Sequence, residues 1–145
     1  MIAQDVPGLV AGAAKGVGLG HAFLRHVERC HVILHLVDAT SIDAVAAFAM
    51  LNRELAQYGT GQLSNMLQVV VVNKVDAYEE GKEENSEEGL KMKLSREELK
   101  RQLEEEMQHS RLMWVSAKEK EGVNELMGRM AKYVGSVQQT KADAE

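Results

Sequence analysis

An α/β layer fold built on a parallel sheet is what this sequence predicts, and three observations predict it. Three short apolar runs stand well apart along the chain, at His31–Asp38, Gln68–Val72 and Leu112–Val115. Near-continuous runs of this kind are how strands buried on both faces of a parallel sheet read. Segments with apolar residues at helical spacing alternate with these runs, an order that implies right-handed crossovers. Polar residues close the strands, at Asp5, Asp38, Asn73-Lys74-Val75-Asp76 and Ser116-Ala117-Lys118. Ligands of such sheets sit beyond the carboxyl ends of the strands.

Taken in order, residues 1–5 read as the stub of a strand, broken by Asp5-Val6-Pro7-Gly8. Gly8, Gly12, Gly16, Gly18 and Gly20 follow, a run of flexible backbone or a loop that passes close to something. Residues 21–30 predict a short helix with Phe23, Leu24 and Val27 on one side. After the first long apolar run, Thr40 and Ser41 offer N-caps to a helix over 43–58. Val45, Phe48, Leu51 and Leu55 form its stripe, and Gly59 and Gly61 end it. Residues 78–93 are Glu/Lys/Gly-rich and are expected to be mobile. Ser95-Arg96-Glu97-Glu98 is a capping box, Leu94 can staple onto Leu99, and Leu99, Leu103 and Met107 carry a helix over 95–109. The last helix is predicted over 122–137, with Val123, Leu126, Met127, Met130, Val134 and Val137 as a core-packing stripe. Residues 138–145 are polar and are expected to fray.

The 145 residues fit one domain, here residues 1–137 with an acidic insertion at 78–110 and a polar tail at 138–145. A hydrophobic content of 45% is enough for a core. The net charge of −5 argues against a simple basic grip on nucleic acid. Residues 79–106, with eleven acidic and six basic side chains, carry that whole imbalance. The single cysteine, Cys30, excludes an internal disulfide. No stretch of about 18 apolar residues predicts a membrane span. The N-terminal residues read neither as a secretory signal nor as a transit peptide. His21, His26, His31 and His35 lie close in sequence, but their spacing crosses from helix to strand and reads as structural or surface histidine, not a zinc site.

The strongest chemistry sits at Asn73-Lys74-Val75-Asp76. Guanine presents two donors, N1–H and the 2-amino group, on one edge, and an ionised carboxylate such as Asp76 accepts both. Adenine offers an acceptor there instead and leaves the carboxylate unpaired. Asn73 can address the other base edge and tie neighbouring loops together, while Lys74 can lay its aliphatic stem along the purine face. Alone, the pattern is short enough to be a polar turn. Ser116-Ala117-Lys118 follows the next strand and strengthens it: Ala117 N–H can donate to the guanine carbonyl and Ser116 can brace the loop. Asp5-Val6-Pro7-Gly8 suits a Mg²⁺ held through water by Asp5, with Gly8 admitting a terminal phosphate to the backbone. Asp38 ends a strand in the same way, and no chemistry attaches to it.

Asp5-Val6-Pro7-Gly8-Leu9-Val10, the glycine-rich run Gly12 to Gly20, Phe23-Leu24-Arg25-His26-Val27-Glu28-Arg29, Val32 to Asp38 and Glu54-Leu55-Ala56-Gln57-Tyr58 together resemble the Obg family of GTPases. The resemblance covers residues 1–76 and 112–134. It implies a truncated P-loop NTPase-type, small-GTPase-like sheet flanked by helices, with the first strands missing. It assigns Asp5, Val6, Pro7 and Gly8 to the third GTPase motif, Gly8–Gly20 to the second switch, Asn73, Lys74 and Asp76 to the fourth motif, and Ser116, Ala117 and Lys118 to the fifth. It further implies GTP or GDP as ligand, Mg²⁺ as cofactor, GTP hydrolysis in the intact protein, and a role in assembling the large ribosomal subunit on that subunit or its RNA. The compartment implied is the cytoplasm, or a mitochondrion or plastid in a eukaryote. No catalytic side chain can be named, since Leu9 stands where many GTPases place a water-orienting glutamine.

Two departures qualify this. Residues 77–110 form a long linker between the fourth and fifth motifs. No Gly-x-x-x-x-Gly-Lys-Ser/Thr loop occurs in the sequence, and that loop supplies the phosphate cradle. The chain is therefore expected to be a fragment or a truncated reading frame, inactive alone, with residues 1–20 poorly anchored and residues 31–137 keeping a three-stranded layer. An alternative is a non-hydrolysing interaction module that docks through the 78–110 arm.

Overall fold

The computed structural model describes residues 24–25, 27–59, 61–79, 83–86 and 89–144. The strand stub at 1–5, Asp5 to Gly8 and the glycine-rich run to Gly20 lie outside them. Among the described residues, five strands and three long helices follow one another: β1 (Val32–Asp38), α1 (Ala44–Gln57), β2 (Leu67–Asn73), β3 (Glu83–Ser86), β4 (Gly89–Met92), α2 (Arg96–Met107), β5 (Leu112–Trp114) and α3 (Val123–Ala144). β1, β2 and β5 form a parallel sheet in the order β1-β2-β5, the layer the sequence predicts.

β2 is the centre of the core. Val69 to Val72 are each at most 1% exposed, and burying such a side chain contributes about 1.5–3 kcal/mol. Val70 and Val72 face Phe48, Leu99, Leu103 and Met107 of α1 and α2, while Val69 and Val71 face Met113, Val115, Leu126 and Met130. Ile33 and Met66 close a smaller cluster with Leu24, Val27, Leu55, Tyr58 and Leu63 at the amino ends of the strands.

β1 departs from expectation. His35 and Val37 are buried, but Leu34 is 41% and Leu36 60% exposed. One face of β1 is covered by α1. On the other, Leu126 and Met130 of α3 reach Val69, Val71 and Val32, and pass Leu34 and Leu36 by. The apolar run was legible; which of its faces is covered depends on the neighbouring helix.

Both predicted N-caps of α1 give way to Asp43, whose side chain makes no capping bond. Thr40 is engaged elsewhere: its N–H and hydroxyl both donate to Asp38 Oδ1. In α2 the capping box is half formed. Ser95 Oγ accepts from Glu98 N–H at 3.2 Å, but the Glu98 carboxylate turns to Arg101 and Gln102. Leu94 and Leu99 meet in one cluster, and Leu99, Leu103 and Met107 are buried along one face as predicted.

The stretch read as mobile contains a hairpin, with β3 and β4 antiparallel from Glu83 opposite Met92 to Ser86 opposite Gly89. Its acidic composition argued for disorder, and two strands of four residues each leave little alternation to read in the sequence. The Tyr78 hydroxyl donates to the Leu94 carbonyl and joins the two ends of the hairpin stretch. α3 is longer than predicted and runs through the expected frayed tail to Ala144. Residues 138–144 contain no Gly or Pro, and Gln, Lys and Ala sustain a helix without burial. Of its predicted stripe only Leu126 and Met130 are buried, and Met127 is 47% exposed.

Gly122 sits at φ +73° ahead of α3, and a Cβ there would lie 2.9 Å from the Trp114 carbonyl oxygen. Gly122→Ala should therefore destabilise the chain by about 1–3 kcal/mol through the left-handed backbone alone, with the contact adding to it. A urea midpoint equal to that of the wild type would contradict this.

Candidate functional site

Register brings the strand ends into one row. Asp38 pairs with Asn73, and Val72 pairs with Trp114, just ahead of Val115 and Ser116. Main-chain bonds then lock the loops that leave these strands: Ala39 N–H donates to the Asn73 carbonyl, Val115 N–H to that of Val72, and Val75 N–H to that of Val115. After Asn73 the chain turns sharply. Lys74 adopts a left-handed backbone at φ +68°, and Val75–Ala77 form a single 3₁₀ turn. A left-handed lysine is uncommon, and such strain gathers at functional sites.

Side chains connect the two motifs. Ser116, fully buried, donates from Oγ to Asp76 Oδ1 at 2.7 Å. The same Oγ accepts from Glu119 N–H, and Ser116 and Glu121 exchange both main-chain bonds. Asn73 Oδ1 accepts from Ala117 N–H at 3.0 Å. That bond orients the Asn73 amide with its NH₂ group away from Ala117. Asp76 is itself exposed, with one oxygen braced by Ser116, and an ionised carboxylate keeps further lone pairs to offer. Ala117 N–H, expected to face a base carbonyl, is here engaged by Asn73. Lys118 is exposed.

A second pairing was not anticipated. Lys74 Nζ lies 2.7 Å from Asp38 Oδ2, while Thr40 N–H and Oγ–H donate to Asp38 Oδ1 at 2.9 and 2.6 Å. Burial pushes the Asp38 carboxyl up, but the Lys74 ammonium and the Thr40 donors bring it, on balance, below the usual carboxylate value. The buried Lys93, which follows β4, donates to the Thr40 carbonyl at 2.7 Å and ties the insertion to the same loop. The only sequence signal for Asp38 was its place at a strand end.

Asp5, Val6, Pro7 and Gly8, and with them the expected Mg²⁺ position, fall outside the described residues. Among the described residues no group of three His, Cys, Asp or Glu side chains could hold a metal ion, and no helix is long and apolar enough to cross a membrane.

A parallel sheet with Asn-Lys-x-Asp and Ser-Ala-Lys knitted together at its carboxyl edge defines a domain of the GTPase class. A family model described as 50S ribosome-binding GTPase matches residues 1–74. The GTPase Obg of Crocosphaera subtropica is 42% identical over 123 residues, covering 85% of this chain and 32% of that protein. Those of a Synechococcus species and of Trichormus variabilis are 53% identical over 79 residues and 55% over 73, covering 54% and 50% of this chain and 20% and 21% of theirs. The chain belongs to the Obg family of GTPases. It spans a third or less of the length of these curated relatives.

Proposed function

We propose that this chain supplies guanine recognition to a GTP-binding domain. Asp76 accepts guanine N1–H and the 2-amino group, and the Asn73 NH₂ group donates to the acceptors on the opposite base edge. Lys74 lays its stem along the purine face. Ala117 N–H shares its bond between Asn73 Oδ1 and the base carbonyl, Ser116 holds Asp76 in place, and Lys118 borders the base. The observation that carries this reading is the pair of hydrogen bonds Ser116–Asp76 and Ala117–Asn73, which join two segments some forty positions apart in sequence.

By family resemblance, Asp5, Val6, Pro7 and Gly8 serve the phosphate end, and Asp5 holds Mg²⁺ through water. The ion would there neutralise phosphate charge. GTP hydrolysis, and action in assembly of the large ribosomal subunit, belong to the whole protein; the description of the matching family as ribosome-binding supports the second.

An amide-resolved titration of the chain with GDP and with ADP tests the base assignment. GDP should shift the amides of residues 73–77 and 116–118, and ADP should leave them in place. Equal responses to both nucleotides would sink it.

A further inference from the structure

We propose that Asp38 is a positioning residue for the nucleotide, acting through Lys74; this rests on the guanine reading above. Lys74 is the residue whose stem is to lie on the base, and its side chain is not free to wander. Its left-handed backbone follows directly on Asn73, the register partner of Asp38. Its Nζ ends 2.7 Å from Asp38 Oδ2.

Asp38 is fixed before it meets the lysine. Both Thr40 donors fall on Oδ1, which leaves Oδ2 turned to Lys74. Thr40 is in turn held by Lys93 through its carbonyl, and Ala39 N–H by the Asn73 carbonyl. A carboxylate held on one oxygen by both Thr40 donors, in a loop braced by Lys93 and by the Asn73 carbonyl, is a firm post for a long, flexible cation.

The pair is too exposed to matter much for folding, with 55% of the Lys74 side chain and 41% of the Asp38 side chain accessible. Its value lies in orientation. A lysine held at its tip has its stem already laid out, so less freedom is lost when a base settles on it. Replacing the charge at Asp38 should therefore weaken nucleotide binding with little change in the fold.

The test is a GDP titration of the full chain as wild type, Asp38→Asn, Lys74→Met, the double variant and Asp76→Asn, with a melting curve for each. Asp38→Asn should lower GDP affinity about three- to tenfold, the range of one oriented contact, while melting as the wild type does. The double variant should bind no more weakly than Lys74→Met, because Asp38 acts only through that lysine. The Lys74 side-chain NMR signal should move in Asp38→Asn. Wild-type affinity in Asp38→Asn, or losses that multiply in the double variant, would overturn the assignment. If Asp76→Asn leaves the preference for GDP over XDP untouched, or wild-type amides ignore GDP, the guanine reading falls and takes this one with it. If Asp76→Asn changes that preference and Asp38→Asn binds normally, Asp38 alone is excluded.

Discussion

Asp76→Asn is expected to exchange a preference for guanine against a preference for xanthine. Xanthine keeps N1–H but carries a carbonyl where guanine has its 2-amino group. An asparagine accepts from N1–H and donates to that carbonyl, whereas two opposed amino groups would meet on guanine. Ser116 makes the variant informative. Its hydroxyl donates to Asp76 Oδ1, and an asparagine oxygen can accept the same bond, so the side chain should keep its place. Rejection by mispaired polar groups reaches about 10⁴-fold, and the ratio of GDP to XDP affinity should swing by about 10²-fold or more. Competition between GDP, XDP and ADP on the variant measures it. A variant that still prefers guanine would contradict the role given to Asp76.

Acid should unfold the chain through His35. The ring is buried, stacks on Phe48 at 4.5 Å between centroids, and places Nδ1 3.2 Å from Gln68 Nε2. Gln68 Nε2 also donates to Asn52 Oδ1, and Gln68 Oε1 faces His109 Nε2 at 3.1 Å. That network makes His35 Nδ1 an acceptor, with its proton on Nε2. A second proton would set one donor against another in a buried place. Burial accordingly lowers the pKa of His35 from 6.5 to about 4.

The folded value lies below the unfolded one, so the neutral ring contributes fully above pH 6.5. The contribution is lost as pH falls from 6.5 towards 4, and amounts to about 3 kcal/mol. His109 is lowered too, by burial and then by Arg111, and acts in the same direction. Urea midpoints between pH 7 and 4.5 should decline in the wild type and decline less in His35→Phe. Parallel curves for the two proteins would rule out His35 as the source.

What the sequence made legible was local. β2 reads as buried because four consecutive valines, apolar and β-branched, suit a strand covered on both faces, and Asn73 and Asp76 read as chemistry because they close that strand. Ser116 and Ala117 follow by the same logic one strand further on. The contacts of Lys74 with Asp38, and of Lys93 with Thr40, were illegible. They join residues whose meeting is decided by sheet register and by the path of the insertion, neither of which leaves a periodic trace. The exposed Leu34 and Leu36 were misread for a related reason, since the coverage of a sheet face is set by the helix above it. The hairpin was hidden behind an acidic composition. The end of α3 was misplaced because its apolar stripe stops before the helix does.

The connection from β2 to β5 runs over residues 74–111 and carries the whole hairpin and α2. For a flexible segment the entropy of ring closure grows only with the logarithm of length, so halving or doubling this span would change it by only about 0.6 kcal/mol. Tyr78 and Leu94 already join the ends of the hairpin excursion, and the length of chain between them bears still less on whether β5 finds β2. Thermodynamic stability is thus a weak judge of how long this segment is, and residues can be gained or lost at the hairpin tip with the parallel sheet intact.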